Sequence, residues 1–108
     1  MDVICEKRDG SSVLKVSGRM DVVFGPTFEK ECQELIEAEE KKLIIDMSGL
    51  EYISSAGLRS ILSSAKKMKA AGGSMQFCGL QGVVKEVFEI SGFCSMFTVT
   101  ESVEQAFD

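Results

Sequence analysis

Two adjacent serines, Ser54 and Ser55, stand just ahead of a run with helical spacing: Leu58, Ile61, Leu62, Ala65 and Met68. A hydroxyl at a helix start has two simple chemistries. It can satisfy one of the amides that lack an intrahelical partner, a bond worth about 1 kcal/mol. It can also carry a phosphate, because the helix N-terminus offsets added negative charge by about 0.3–1 kcal/mol at an exposed site. Catalysis by the same hydroxyl would need a base. The chain contains no histidine, which rules out a Ser-His-Asp triad or a Cys-His pair within it. A small hydrolase using Ser55 with a Lys or Asp base is the remaining enzymatic reading. No motif gathers such a base, and the helix start is open to water. The serines therefore read as a switch point with no catalytic residue assigned.

With a helix beginning near Leu58, either Ser54 or Ser55 can be its N-cap. Neither has the Glu or Gln three residues on that would complete a capping box. Ala56 and Gly57 are small, which predicts an uncovered first turn that a large partner can approach. Leu58 anchors the helix start. A phosphate would add roughly −1.5 to −2 charge and three acceptors. The fold should tolerate it, whereas a partner surface built for a neutral serine should not.

The other candidates read more plainly. Asp46 closes the apolar run Leu43-Ile44-Ile45 and is expected to hold the serine turn through backbone amides. A metal role for it would need further ligands that the sequence does not supply. Gly79-Leu80-Gln81-Gly82 lacks both a Walker lysine and the GxGxxG spacing, so it reads as a strand-to-helix turn. Met68, Met75 and Met96 read as core filler. Cys5, Cys32, Cys78 and Cys94 form no CxxC pair, and read as reduced core thiols with no zinc site. No cofactor is implied.

These residues must be positioned by one modest core, since 108 residues fit a single domain, 1–108. The net charge of −5 argues against a nucleic-acid or anionic-membrane binder. No early apolar segment marks a secretory signal and no run reaches membrane-spanning length, so a cytoplasmic protein is expected. Val3–Lys7 and Val13–Ser17 read as strands joined by a turn at Asp9-Gly10-Ser11. Gly18-Arg19-Met20-Asp21 reads as irregular. Pro26 suits the first turn of a helix carrying Phe28, Cys32, Leu35 and Ile36 on one stripe. Leu43–Ile45 suits a strand covered on both faces, ending at Asp46. Gly72-Gly73 should stop the second helix. Ser74–Cys78 is a strand. Val83, Val84, Val87, Phe88 and Ile90 form a strongly apolar third helix closed by Gly92. Met96–Val99 is a last strand, and Thr100 or Ser102 caps a final helix facing Val103, Ala106 and Phe107 inward. The order β-β-α-β-α-β-α-β-α predicts an α/β fold with a mixed, mostly parallel sheet of about five strands and about four helices. Right-handed crossovers would set Asp46 and the serine turn on one sheet edge.

The segment from Asp46 to Leu58, DMSGLEYISSAGL, resembles the signature of bacterial anti-sigma factor antagonists, the STAS-domain proteins. The likeness runs through nearly the whole chain in the order of its elements. It implies a STAS-like single domain that binds a serine kinase anti-sigma factor and thereby frees a sigma factor. It further implies that the kinase phosphorylates one serine at the start of the second helix, breaking the association, and that a PP2C-type phosphatase reverses this. The matching position is Ser55, with Ser54 as the alternative. The chain has Ser54 where many members carry Asp, and Ala56 where many carry Ser or Thr. Asp21 matches an acidic position near the partner-binding edge; by itself it also reads as a solvated loop carboxylate. The resemblance thus places the partner contact on Asp21, Ser54, Ser55, Ala56, Gly57 and Leu58. It equally allows an unmodified STAS scaffold or ligand-sensing module.

Overall fold

A computed structural model describes residues 2–107. It contains β1 (Asp2–Arg8), β2 (Ser11–Met20), α1 (Gly25–Glu37), β3 (Lys42–Ile53), α2 (Ser55–Ala70), β4 (Ser74–Cys78), α3 (Gly82–Ser91), α4 (Phe93–Met96), β5 (Val99–Thr100) and α5 (Val103–Ala106). The five strands lie side by side in chain order, with β1 antiparallel to β2 and all later pairs parallel. When each parallel strand is laid beside its predecessor, crossovers of one hand bring every connecting helix to the same face. Phe28 and Cys32 of α1, Ile61 and Met68 of α2, and Val84 and Phe88 of α3 accordingly share one core with Leu43, Ile45 and Phe77 of the sheet. On the other face Ile44, Val13 and Cys78 are covered by Val103 and Ala106 of α5. Leu43, Ile44 and Ile45 are all fully buried, as a strand covered on both faces requires.

The hairpin turn is Asp9-Gly10, both residues at positive φ (52° and 80°), the pairing that suits a two-residue link between twisted strands. Pro26 stands in the first turn of α1. The second helix stops as expected: Gly72 adopts φ 85° and donates its N–H to the Lys69 carbonyl.

Several expectations are corrected. Gly18, Arg19 and Met20 are not irregular but continue β2. β3 does not end at Asp46 but runs on to Ile53. Its pairing with β4 does stop at Asp46–Cys78, and beyond that point only β2 accompanies it. The register against β2 shifts twice, between Lys15/Ser17 and between Gly18/Arg19, β3 carrying the extra residue each time. Each bulge moves the inward phase by one residue. Met47, Leu50 and Ile53 therefore all face the core, three apart, while Ser48, Gly49 and Glu51 between them are exposed. That broken alternation is why the segment read as a turn. Met96 is not in a strand. It ends the short helix α4 and is 57% exposed, so it is not core filler. Ile90 and Val83, two of the five apolar residues expected to form α3, point outward, at 86% and 53% exposure. Cys5 and Cys94 are exposed rather than core thiols. The α3–α4 region is held by edge-to-face rings: Phe77 packs on Phe88 and Phe97, and Phe93 on the same two, with centroids 5.1–5.5 Å apart. Helices number five among the described residues, one more than expected, because Gly92 at φ 83° divides α4 from α3.

Candidate functional site

The two serines are separated by their bonding. α2 starts at Ser55, three residues ahead of Leu58. Ser54 is the N-cap: its backbone is extended (φ −93°, ψ 172°) and its Oγ accepts the Gly57 N–H at 3.1 Å. Its carbonyl accepts from Leu58 N–H at 2.9 Å, and its own N–H donates to the Met20 carbonyl at 2.9 Å. Ser54 is half-buried and committed on all three groups. Ser55 is the first helical residue, exposed, and its hydroxyl has no hydrogen-bond partner among the described residues. The first turn of α2 carries no acidic side chain. An added negative charge there would meet helix amides rather than like charge.

Gly57 has a different task from the one expected. It is buried, and a Cβ there would lie 2.6 Å from the Met20 carbonyl oxygen and 3.0 Å from Ile53 Cγ1. Its small size lets α2 lie against the ends of β2 and β3 rather than opening the turn to a partner. Ala56 is half-buried, and Leu58 packs against the core as an anchor should.

The close approach of Gly57 to Met20 brings the β2–α1 loop to the same end. Asp21 Oδ1 accepts the N–H groups of Val23 and Phe24, each at 3.1 Å, and its carbonyl accepts from Gly25 at 2.8 Å. Asp21 therefore shapes the entry to α1 and is more than a solvated carboxylate. The bend turns Val22 and Val23 outward, at 72% and 81% exposure. The sequence reading missed these valines. Two apolar residues directly after a loop aspartate were the available signal. One residue before Met20, the Arg19 guanidinium sits 4.1 Å from the centre of the Tyr52 ring, a cation–π stack at this end of the sheet.

Asp46 does not join the serines. Its Oδ1 accepts the Ser48 N–H at 3.0 Å, holding its own strand rather than the serine turn. Seven residues of β3 separate it from Ser54, a path of roughly 25 Å at strand rise. It lines a polar pocket of about 230 Å³ on the α5 side of the sheet, with Glu6, Arg8, Lys15 and Glu104. Burial pushes the Cys32 thiol up to about 12 and does the same for Cys78, where Asp46 adds to the effect. Neither thiol is a nucleophile near neutral pH.

The STAS domain model matches residues 2–106, and the chain belongs to that family. It is 37% identical over 106 residues to BtrV of Bordetella bronchiseptica, an anti-sigma factor antagonist by name, covering 98% of this chain and 91% of that protein. An anti-sigma factor antagonist from Mycobacterium paratuberculosis has the same fold, at a TM-score of 0.88 and 24% identity over 98% of this chain and 90% of its own. So has the phosphorylated form of the Bacillus cell fate determinant SpoIIAA, at a TM-score of 0.77 and 17% identity over 99% and 97%. No helix among the described residues is long and apolar enough to cross a membrane.

Proposed function

We propose that this chain is a non-enzymatic anti-sigma factor antagonist that works by partner switching. It binds a serine kinase anti-sigma factor through the surface formed by Asp21–Val23, Ser54–Ala56 and Leu58, and so frees a sigma factor. The kinase transfers the γ-phosphoryl group of ATP to Ser55 Oγ, whose proton is lost, and the added charge ends the association. A PP2C-type phosphatase returns the serine by hydrolysis. The protein acts in the cytoplasm and needs no cofactor.

One observation carries the choice of residue. Ser54 Oγ is occupied as the cap of α2, whereas Ser55 Oγ is exposed and without a partner among the described residues. Phosphorylating Ser54 would cost the cap; phosphorylating Ser55 costs no bond. Val22 and Val23 supply apolar area two and three residues beyond Met20, whose carbonyl receives the Ser54 N–H, and their exposure supports a docking role. The names of BtrV and the phosphorylated SpoIIAA are consistent with this reading.

The test is affinity for the cognate serine kinase, using Ser55→Ala and Ser55→Asp. The alanine variant should bind like the unmodified protein, and the aspartate variant at least about ten-fold more weakly, a loss of about 1.4 kcal/mol. Equal affinity would sink the proposal. The polar pocket around Asp46 favours a second reading, an unmodified ligand-sensing module, for which a ligand that raises the melting temperature with its concentration is the sign.

A further inference from the structure

Among the described residues, the first three positions of β4 have no strand paired on the β5 side. β5 pairs with only two of its residues, Phe77 with Val99 and Cys78 with Thr100. Ser74 donates its N–H to the Lys41 carbonyl at 2.8 Å, on the β3 side. Phe77 and Gly79 donate theirs to the Thr98 and Thr100 carbonyls at 3.0 and 3.3 Å, on the β5 side. Successive backbone groups alternate between the two sides of a strand. Met75 therefore aims its N–H and C=O toward the β5 side, at a level where β5 pairs with nothing.

A groove of about 470 Å³ opens at that level, between α2 and the chain leading into β5. Ala65, Met75, Met96 and Phe97 give it an apolar lining, and Lys66 and Lys69 stand along it. Both lysines are exposed, and neither enters an ion pair among the described residues. Ala65 lies ten residues beyond Ser55 on α2, roughly 15 Å along the helix, so the groove is separate from the serine end.

We infer that this groove is a docking site for an extended segment of a partner protein, with apolar residues flanked by carboxylates. The segment adds beside β4 as a short strand. Its backbone meets the N–H and C=O of Met75, alternate apolar side chains enter between Met96 and Phe97, and its carboxylates face Lys66 and Lys69. Charge chooses among the occupants. The chain carries a net charge of −5, and these lysines form a cationic edge on an otherwise acidic protein. That disfavours a second copy and favours an acidic partner. An acyl chain would fill the apolar space but leave the Met75 backbone groups unpaired.

The probe is a blocked peptide of about eight residues alternating Val and Asp, titrated into the whole chain with amide resonances followed by NMR. Shifts at Met75, Lys66–Lys69 and Met96–Thr98, with the Ser55 end unmoved, are the expected result. Exchanging Asp for Lys in the peptide, or N-methylating its central residue, should weaken binding about ten-fold. Lys66→Glu combined with Lys69→Glu should weaken it about three- to ten-fold. No shift at roughly 1 mM peptide would overturn the inference, as would equal binding of the two peptide charges. Dodecyl phosphate moving the same amides more strongly than the peptide would assign the groove to an amphiphile. Dependence of those shifts on protein concentration alone would assign it to a second copy. Either result also overturns the inference. The peptide comparison uses the unaltered protein, so a folding defect in the double variant leaves the test intact.

Discussion

Ser54 and Ser55 are adjacent and chemically identical, yet the structure predicts opposite consequences for removing their hydroxyls. Ser54→Ala deletes the acceptor of the Gly57 N–H, leaving an amide at the half-buried start of α2 unpaired. Loss of a Ser cap costs about 1 kcal/mol, within a range of about 0.5–2. Ser54→Gly should cost only a few tenths of a kcal/mol, since glycine is itself a tolerated cap. Ser55→Ala removes no bond and places a better helix former at the first helical position, so its effect should fall within about 0.5 kcal/mol of zero, on the stabilising side. Ser55→Asp should stabilise by about 0.3–1 kcal/mol through the helix dipole. Urea unfolding reads all four, with the midpoint moving and the slope unchanged. By heat, the Ser54→Ala loss corresponds to about 4–8 °C for a domain near 100 residues. A neutral Ser54→Ala beside a costly Ser55→Ala would exchange the two roles and refute the assignment of the cap.

Gly57→Ala gains helix propensity but drives a methyl group into the Met20 carbonyl and Ile53. Overpacking of about 1–3 kcal/mol should outweigh the gain, and thermal denaturation showing an equal or higher midpoint would contradict it. The Glu40 carboxyl is held below the usual carboxylate range, first by the Ser12 hydroxyl and then by Lys7. A lowered pKa gives stability that is present above the ordinary carboxylate range and lost as pH falls through the folded value. Glu40→Gln should flatten the acid side of a stability-versus-pH curve, and an unchanged acid limb would show that the clasp is silent. Cys5 and Cys94 should react with a thiol reagent in the native protein, while Cys32 and Cys78 react only on unfolding. Four fast thiols would contradict the packing.

The parts of the fold legible in the sequence were those where one local rule dominates. Ser74–Cys78, the Gly72 stop and the Gly92 cap coincide with their elements because strand propensity and left-handed glycine leave little choice. β3 was misread past Asp46 because two bulges against β2 break the alternation on which strand reading depends. The short strand β5 was misplaced because Phe93 and Phe97 answer to an aromatic cluster contributed by α3 and β4, which no local window contains. At the site, the serine pair was visible as a helix start, but which serine is the cap depends on where the helix begins. That start is fixed by the Met20 carbonyl receiving Ser54 from another strand. Gly57 was singled out as small, yet its reason is the same distant carbonyl. Val22 and Val23 could not be separated from core valines without knowing that Asp21 turns the chain outward.

The central claim is that Ser55 is the switch. Mass-spectrometric phosphosite mapping of the protein taken from its native host, under several growth conditions, tests it most directly. The account predicts a single phosphate on Ser55 whose occupancy varies with condition, and an unmodified Ser54. Phosphate on Ser54 alone, or none under any condition, would contradict it.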